Sequence, residues 1–223
     1  KHITDSILYA QKIQNALLAP TELVEDVIKT LKRENNLVID YFILYKPKDI
    51  VSGDFYWAKN FSESLYFVAA DCTGHGVPGA FMSALGISFL NDIVNKREDL
   101  EPNIILNKLK SKLISTLRQS DYNPQSRDGM DISLCKINTK NRTLEYAGAY
   151  QPLYLVRSLE DKPTLTKYAG DRMPIGMHLK SDKSFTKRSI KIKNKDTFYL
   201  GSDGYISQFG GDKNETFKSR RLE

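Results

Sequence analysis

Three aspartates share one local grammar. Asp71 closes the apolar run Leu65 to Ala70 and leads into Cys72-Thr73-Gly74-His75-Gly76-Val77-Pro78-Gly79, Asp54 follows Gly53, and Asp203 lies between Ser202 and Gly204 after the apolar run Phe198 to Leu200. Each sits at or beside a strand end, next to a residue that lets the backbone turn sharply and come close to a ligand. Carboxylates that converge on one edge of a sandwich repel one another unless cations neutralise them. All-oxygen ligation selects hard ions, so magnesium or manganese is expected rather than zinc. A single aspartate of this kind is ordinarily a turn or cap residue. Three with the same grammar point to a metal centre.

Two rival chemistries fit the same stretch less well. Gly74, Gly76 and Gly79 match G-x-G-x-x-G between a strand and a helix, the pattern of a dinucleotide site. A second helical pattern follows where a βαβ unit would return to a strand, and no strand-end acid stands about 20 residues on. A cysteine phosphatase would need an arginine close behind its nucleophile to hold the phosphate. Pro78 and Asn141 occupy that place after Cys72 and Cys135. His75 is a candidate proton donor or a solvated turn residue, and its type alone does not decide. His2 and His178 carry no partner pattern.

The elements that must position these aspartates can be read from periodicity. Residues 1–19 form a helix with Ile3, Ile7, Ala10, Gln14 and Leu17 spaced alternately four and three apart, a heptad seam with one polar member, which Pro20 ends. That stripe suits the end of a longer coiled coil or a helix docked on the core equally well. A second helix is expected over Thr21 to about Glu34, a strand over Leu37 to Tyr45, and a second strand-like run, with the glycine-acid step Gly53-Asp54 embedded in it, over Asp49 to Trp57. Helices follow from Pro78 to about Asn95, with Phe81, Leu85, Phe89 and Ile93 every four residues, and from Pro102 to about Gln119, on Ile105, Leu109, Leu113 and Leu117. Asp121 to Asp128 reads as a loop. Period two then takes over, with strands at Ile132 to Ile137 and Leu144 to Ala147 joined as a hairpin, and at Leu153 to Val156, Leu165 to Tyr168, Phe185 to Ile192 and Thr197 to Leu200. Short consecutive strands pair antiparallel. The expected class is α+β, with helices covering antiparallel sheets.

The chain has 223 residues, 40% of them hydrophobic, enough for one sizeable core. It begins at Lys1, which suggests excision from a longer protein. No run is read as the roughly 18 apolar residues of a membrane span, so this piece is expected in the cytoplasm, with any membrane anchor upstream. Net charge is +6, from 33 basic against 27 acidic residues. With almost no aromatic interleaving this reads as a solvated lysine-rich surface, and no nucleic-acid partner is expected. The two cysteines are far apart, as in a reducing compartment.

Val51-Ser52-Gly53-Asp54-Phe55-Tyr56-Trp57, Ala70-Asp71-Cys72-Thr73-Gly74-His75-Gly76-Val77-Pro78-Gly79-Ala80 and Ser202-Asp203-Gly204 together resemble the SpoIIE/RsbU branch of the metal-dependent Ser/Thr phosphatases (PPM, phosphatase 2C-like). Asp128-Gly129-Met130-Asp131, Glu145-Tyr146-Ala147-Gly148-Ala149, Arg172-Met173-Pro174-Ile175-Gly176 and Gln208-Phe209-Gly210-Gly211 add to the match in the expected order. The resemblance implies a four-layer αββα sandwich of two antiparallel sheets flanked by helices, occupying 20–223, behind an N-terminal helical linker at 1–19.

It further implies hydrolysis of phosphoserine or phosphothreonine on a signalling phosphoprotein of the anti-sigma antagonist type, by a water bridging two manganese or magnesium ions. Asp71 would bridge the ions, the Cys72 carbonyl would join one, Asp54 would hold the second and Asp203 the first. Asp131 matches no ligand of the family. The linker would connect an upstream sensor and support a homodimer.

Two departures stand out. Relatives carry a further aspartate in a strand beyond Ser202-Asp203-Gly204, so the chain reads as truncated at its C-terminus with one metal site incomplete. The alternative is then a catalytically weak domain of the same fold that binds a phosphoprotein. His75 stands four positions after Asp71 rather than two, so the family's acid role is not transferred to it.

Overall fold

Alternating apolar residues and short turns between them build two antiparallel sheets. The computed structural model describes residues 2–19, 25, 28–29, 39–61, 63–95, 99–119, 128–159, 162–179, 182–212 and 214–223. The larger sheet contains β1 (Phe55–Phe61), β2 (Ser64–Cys72), β3 (Met130–Asn138), β4 (Thr143–Ala149) and β7 (Arg188–Lys191), in the order β1-β2-β3-β4-β7. The smaller one has the order β6-β5-β8, from β5 (Leu153–Leu159), β6 (Lys162–Tyr168) and β8 (Thr197–Tyr199). A two-residue pair, β9 (Phe209–Gly210) with β10 (Glu215–Thr216), and a short α4 (Ser219–Leu222) follow. The expected α+β class and the antiparallel pairing are both present.

The central strands β2, β3 and β4 serve two cores, because successive side chains point to opposite faces. On β2, Tyr66, Val68, Ala70 and Cys72 face one core with Ile132 and Leu134 of β3. The helices α2 (Gly76–Val94) and α3 (Pro102–Thr116) cover that face with Leu90, Ile105, Leu109 and Leu113. The other face sends Leu65, Cys135, Ile137, Leu144 and Ile190 against Leu153 and Leu155 of the smaller sheet. Among the described residues the layers run helix, sheet, sheet, in line with the expected sandwich of antiparallel sheets flanked by helices.

Helix α3 buries the row expected of it, and α2 most of its own: Phe89 and Ile93 are buried together with Met82, Ile87, Leu90 and Val94, whereas Phe81, near the start of the helix, is 69% exposed. At Gly86 a Cβ would come within 2.9 Å of the Phe55 ring, so helix and strand approach closely there. At 19 residues α2 is also long and apolar enough to cross a membrane, which corrects the reading that no segment is; half of it is buried here as a core helix.

The strand expected at Leu37 to Tyr45 is not formed over 39–45, where the chain is irregular. Ile39 packs on the inter-sheet core and Phe42 meets Tyr199 of β8 edge-on at 6.2 Å, so side chains rather than backbone hold this run to the smaller sheet. The helix expected over 21–34 and the loop over 121–128 lie, apart from a few positions, outside the described residues.

The N-terminal helix α1 (His2–Leu17) docks through the polar member of its seam. Gln14 is 3% exposed; its Nε2 donates to the Ser52 carbonyl at 2.6 Å and to Ser83 Oγ at 2.8 Å, while its Oε1 accepts from the Ser52 N–H at 3.0 Å. A buried amide bonded at both ends is specific as well as stabilising, since removing it strands a buried donor. Ile7 and Ala10 are half-buried beside it, whereas Ile3 at the free end is exposed. The stripe therefore belongs, at its C-terminal half, to a docked helix. Gln14→Met keeps the length and leaves the Ser52 N–H without the acceptor it has here, so it is expected to lower stability in urea by about 1–3 kcal/mol; an unchanged midpoint and slope would show that Gln14 does not carry the docking.

Candidate metal centre

The strand register assembles an acidic row. β2 pairs with β3 so that Asp71 stands directly across from Asp131. β1 pairs with β2 at Phe55↔Ala70, and one more step of the same register sets Asp54 beside Asp71. Directly opposed residues of antiparallel strands share a face. Asp71 is in phase with Leu65 and Phe67, and Asp131 with Cys135 and Ile137, so the row lies on the inter-sheet side, at the mouth of the space between the sheets.

The smaller sheet supplies the fourth carboxylate. After β8 the chain turns at Ser202-Asp203-Gly204, where Ser202 Oγ donates to Asp54 Oδ2 and the Asp203 backbone donates to the Asp71 carboxylate. Asp203 is itself fixed by the turn, its carbonyl accepting from Ser207 N at 2.9 Å and its Oδ2 from Ser207 Oγ at 3.2 Å. Both sheets thus contribute to one rim.

Three glycines let the loops of Asp54 and Asp71 touch. A Cβ on Gly53 would stand 2.6 Å from the Gly74 carbonyl oxygen and 3.1 Å from that of Cys72, and a Cβ on Gly79 would stand 2.6 Å from the Gly74 oxygen and 2.9 Å from the Gly53 Cα. The G-x-G-x-x-G spacing therefore serves loop-on-loop packing beneath the carboxylates. His75 caps this arrangement from outside: it precedes α2, and its Nδ1 lies 2.9 Å from Asp49 Oδ2. It is exposed and tied to Asp49 rather than to the acidic row.

The electrostatics follow from the placement. Burial, then the charges of Asp54 and Asp203 and a hydrogen bond shared with Asp54, push the Asp71 carboxyl up to about 7, against the opposing pull of the Asp203 backbone. Burial and Asp203 push Asp131 up to about 6. The Cys72 thiol is pushed up by burial first, and its side chain points to the helix-side core. Only its carbonyl, at the Gly53 contact, faces the loops.

Of the residues singled out from sequence, Asp54, Asp71 and Asp203 come together, and Cys72 lies next to them through its backbone. Asp131, which matches no ligand of the family, stands directly across from Asp71 on the neighbouring strand. Its signal was the β2–β3 register, which no local spacing reveals. Among the described residues, no three His, Cys, Asp or Glu side chains are closed enough to hold an ion as they stand. Backbone register, rather than a preformed cage, assembles the rim.

Residues 62–223 match the family described as stage II sporulation protein E (SpoIIE). The chain belongs to the SpoIIE family. Among solved structures it is similar to the SiaA-PP2C domain of Pseudomonas aeruginosa, with a TM-score of 0.81 and 30% identity over 99% of this chain and 80% of that one. The PP2C phosphatase domain of SpoIIE from Bacillus subtilis shares the fold at a TM-score of 0.55 and 22% identity, over 70% of this chain and 41% of that one. RsbX in complex with magnesium does so at 0.54 and 17%, over 74% and 72%. No curated protein sequence matches.

As a SpoIIE-family member the chain is a metal-dependent phosphatase domain of the PP2C type. Its rim suits the hard divalent cation such a domain uses, because the donors brought together there are carboxylate and carbonyl oxygens, and the central carboxyl is pushed up by burial first and then by the charges of Asp54 and Asp203.

Because the folded-state value of Asp71 lies above its ordinary 3.8, the metal-free fold binds more protons than the unfolded chain between these limits, and stability falls as pH rises from about 4 to about 7. In chelator, the melting temperature is expected to be higher at pH 5 than at pH 8, and added manganese to restore the loss at pH 8. A melting temperature that rises with pH in chelator would contradict the repulsive row.

Proposed function

We propose that this domain hydrolyses phosphoserine or phosphothreonine on a signalling phosphoprotein of the anti-sigma antagonist type, using two manganese or magnesium ions. The observation that carries the reading is Asp71, flanked by Asp54 on one side and approached by Asp203 from the other sheet. In that arrangement Asp71 is the carboxylate able to reach both halves of the site, Asp54 and the Cys72 carbonyl serve the larger sheet's side, and Asp203 the smaller sheet's. When bound, the cations would supply Lewis acidity, acidifying water and offsetting charge on the phosphate oxygens. RsbX, which has the same fold, has been solved with magnesium, in line with this metal choice.

The chain's own residues do the rest. Ser202 and the Asp203 backbone hold Asp54 and Asp71 in place, and the glycine contacts keep the two loops from separating. No side chain need act as a covalent nucleophile, and the buried, inward-facing Cys72 thiol is not placed to be one. By the same reading the domain works in the cytoplasm, and α1 connects an upstream sensor. The exposed apolar residues Tyr9, Ile13 and Leu17 of α1 would form a homodimer contact.

Asp71→Asn removes the central charge without changing shape. It is expected to abolish manganese-dependent release of phosphate from a phosphoserine protein substrate while the fold remains intact by circular dichroism. Undiminished turnover by the folded variant would overturn the assignment.

A further inference from the structure

Tyr150 holds a backbone conformation that a tyrosine rarely takes. Its φ is +57°, in the left-handed region that suits glycine and asparagine. Hydrogen bonds enforce the position from several sides. Tyr150 N–H donates to the Asp171 carbonyl at 2.9 Å, Asp171 N–H to the Gly148 carbonyl at 2.8 Å, and the Tyr146 hydroxyl to the Gln151 carbonyl at 2.6 Å. Strain that its surroundings over-determine in this way collects where a side chain has to be aimed at a ligand.

Core packing does not account for the ring. Tyr150 is 44% exposed and belongs to neither buried cluster. It meets the His178 ring edge-on, with centroids 6.4 Å apart, and Leu179 beside His178 is 99% exposed. Both segments border the acidic rim. Ala149, just before Tyr150, pairs with Ile132, and Ile175, shortly before His178, bridges to Met130. Ile132 and Met130 are the two chain neighbours of Asp131, which stands across from Asp71. Thr73, two residues after Asp71, exchanges hydrogen bonds with Gly129 at 2.9 and 3.1 Å, and a Cβ on Gly129 would come within 2.6 Å of the Ile175 carbonyl oxygen. The aromatic pair therefore sits at the same end of the larger sheet as Asp71, on the β4 side, with Asp54 on the β1 side.

A phosphoresidue has to come to the carboxylates, so the polypeptide on either side of it must cross this rim. Exposed aromatic and aliphatic side chains at the edge of a site are suited to such a contact. We propose that Tyr150, together with His178 and Leu179, contacts the substrate polypeptide next to the phosphoresidue and favours an apolar residue there. The proposal rests on the phosphatase reading for the kind of substrate. Tyr150 is on this account a specificity-determining residue with no part in holding metal.

The test uses two phosphoserine peptides, alike except that leucine or glycine flanks the phosphoserine, with manganese present and the whole chain as enzyme. Wild type is expected to prefer the leucine peptide in kcat/KM by about fivefold or more, through KM rather than kcat. Tyr150→Asn suits the same backbone, so it is expected to melt no lower than wild type and to lose that preference, with KM for the leucine peptide rising to the value for the glycine one. Wild type that turns over both peptides equally, or a variant whose preference stays within about twofold of the wild-type ratio, would overturn this proposal alone. A variant that melts lower would do the same by marking Tyr150 as structural. Wild type that hydrolyses neither peptide would instead sink the phosphatase reading on which the proposal stands.

Discussion

The like-charge contact between neighbouring strands at one end of the larger sheet governs the rest of the structure. Asp71 lies between Asp54 and Asp131 by strand register alone, and opposed like charges destabilise a strand pair. The fold nevertheless holds them there, because the same register lines up the apolar residues of both cores; slipping β2 by one residue to separate the carboxylates would exchange its helix-side and inter-sheet faces. The hydrophobic pattern thus fixes an arrangement that the acidic end opposes, and on the proposed reading bound cations would reconcile the two.

Several features hold this unfavourable end together. Gly53 and Gly79 pack backbone against backbone around the Gly74 carbonyl, so that a side chain at either would force the loops apart, and Gly74 holds the left-handed φ of +88° that a side chain would strain. Gln14 reaches from α1 to pin both peptide groups of Ser52, two residues before Asp54, and the Asp54 N–H donates to Ser52 Oγ at 3.1 Å. Ser202 bonds to Asp54 from the other sheet. These contacts are local, polar and buried, so they set geometry more than they add to stability. The N-terminal helix is therefore in direct mechanical contact with the segment that carries a proposed ligand.

Much of this was legible before any coordinates. Period-two alternation gave the strands from Ile132 to Leu200 their places, and Asp54, Asp71 and Asp203 stood out because each coupled a strand end to a turn-forming neighbour. Features that depend on partners distant in sequence were not legible. Phe81 looked like a member of the buried row of α2 that Phe89 and Ile93 do form, yet at the start of the helix it is exposed. Asp131 resembled any first residue of a strand, and only the pairing with β2 shows what stands across from it. The run 39–45 had strand-forming composition but is held by side chains such as Phe42, without ladder partners. Gln14 read as an odd polar member of a coiled-coil seam, since its partners Ser52 and Ser83 are 38 and 69 residues away.

The central claim, that strand register assembles an acidic rim which binds hard divalent cations, is most directly tested by anomalous scattering from crystals soaked in manganese. The account predicts anomalous peaks at the mouth between the two sheets, within ligand distance of the Asp54 and Asp71 carboxylates and facing Asp203. Crystals that take up manganese only elsewhere on the surface, with no peak at that mouth, would contradict it.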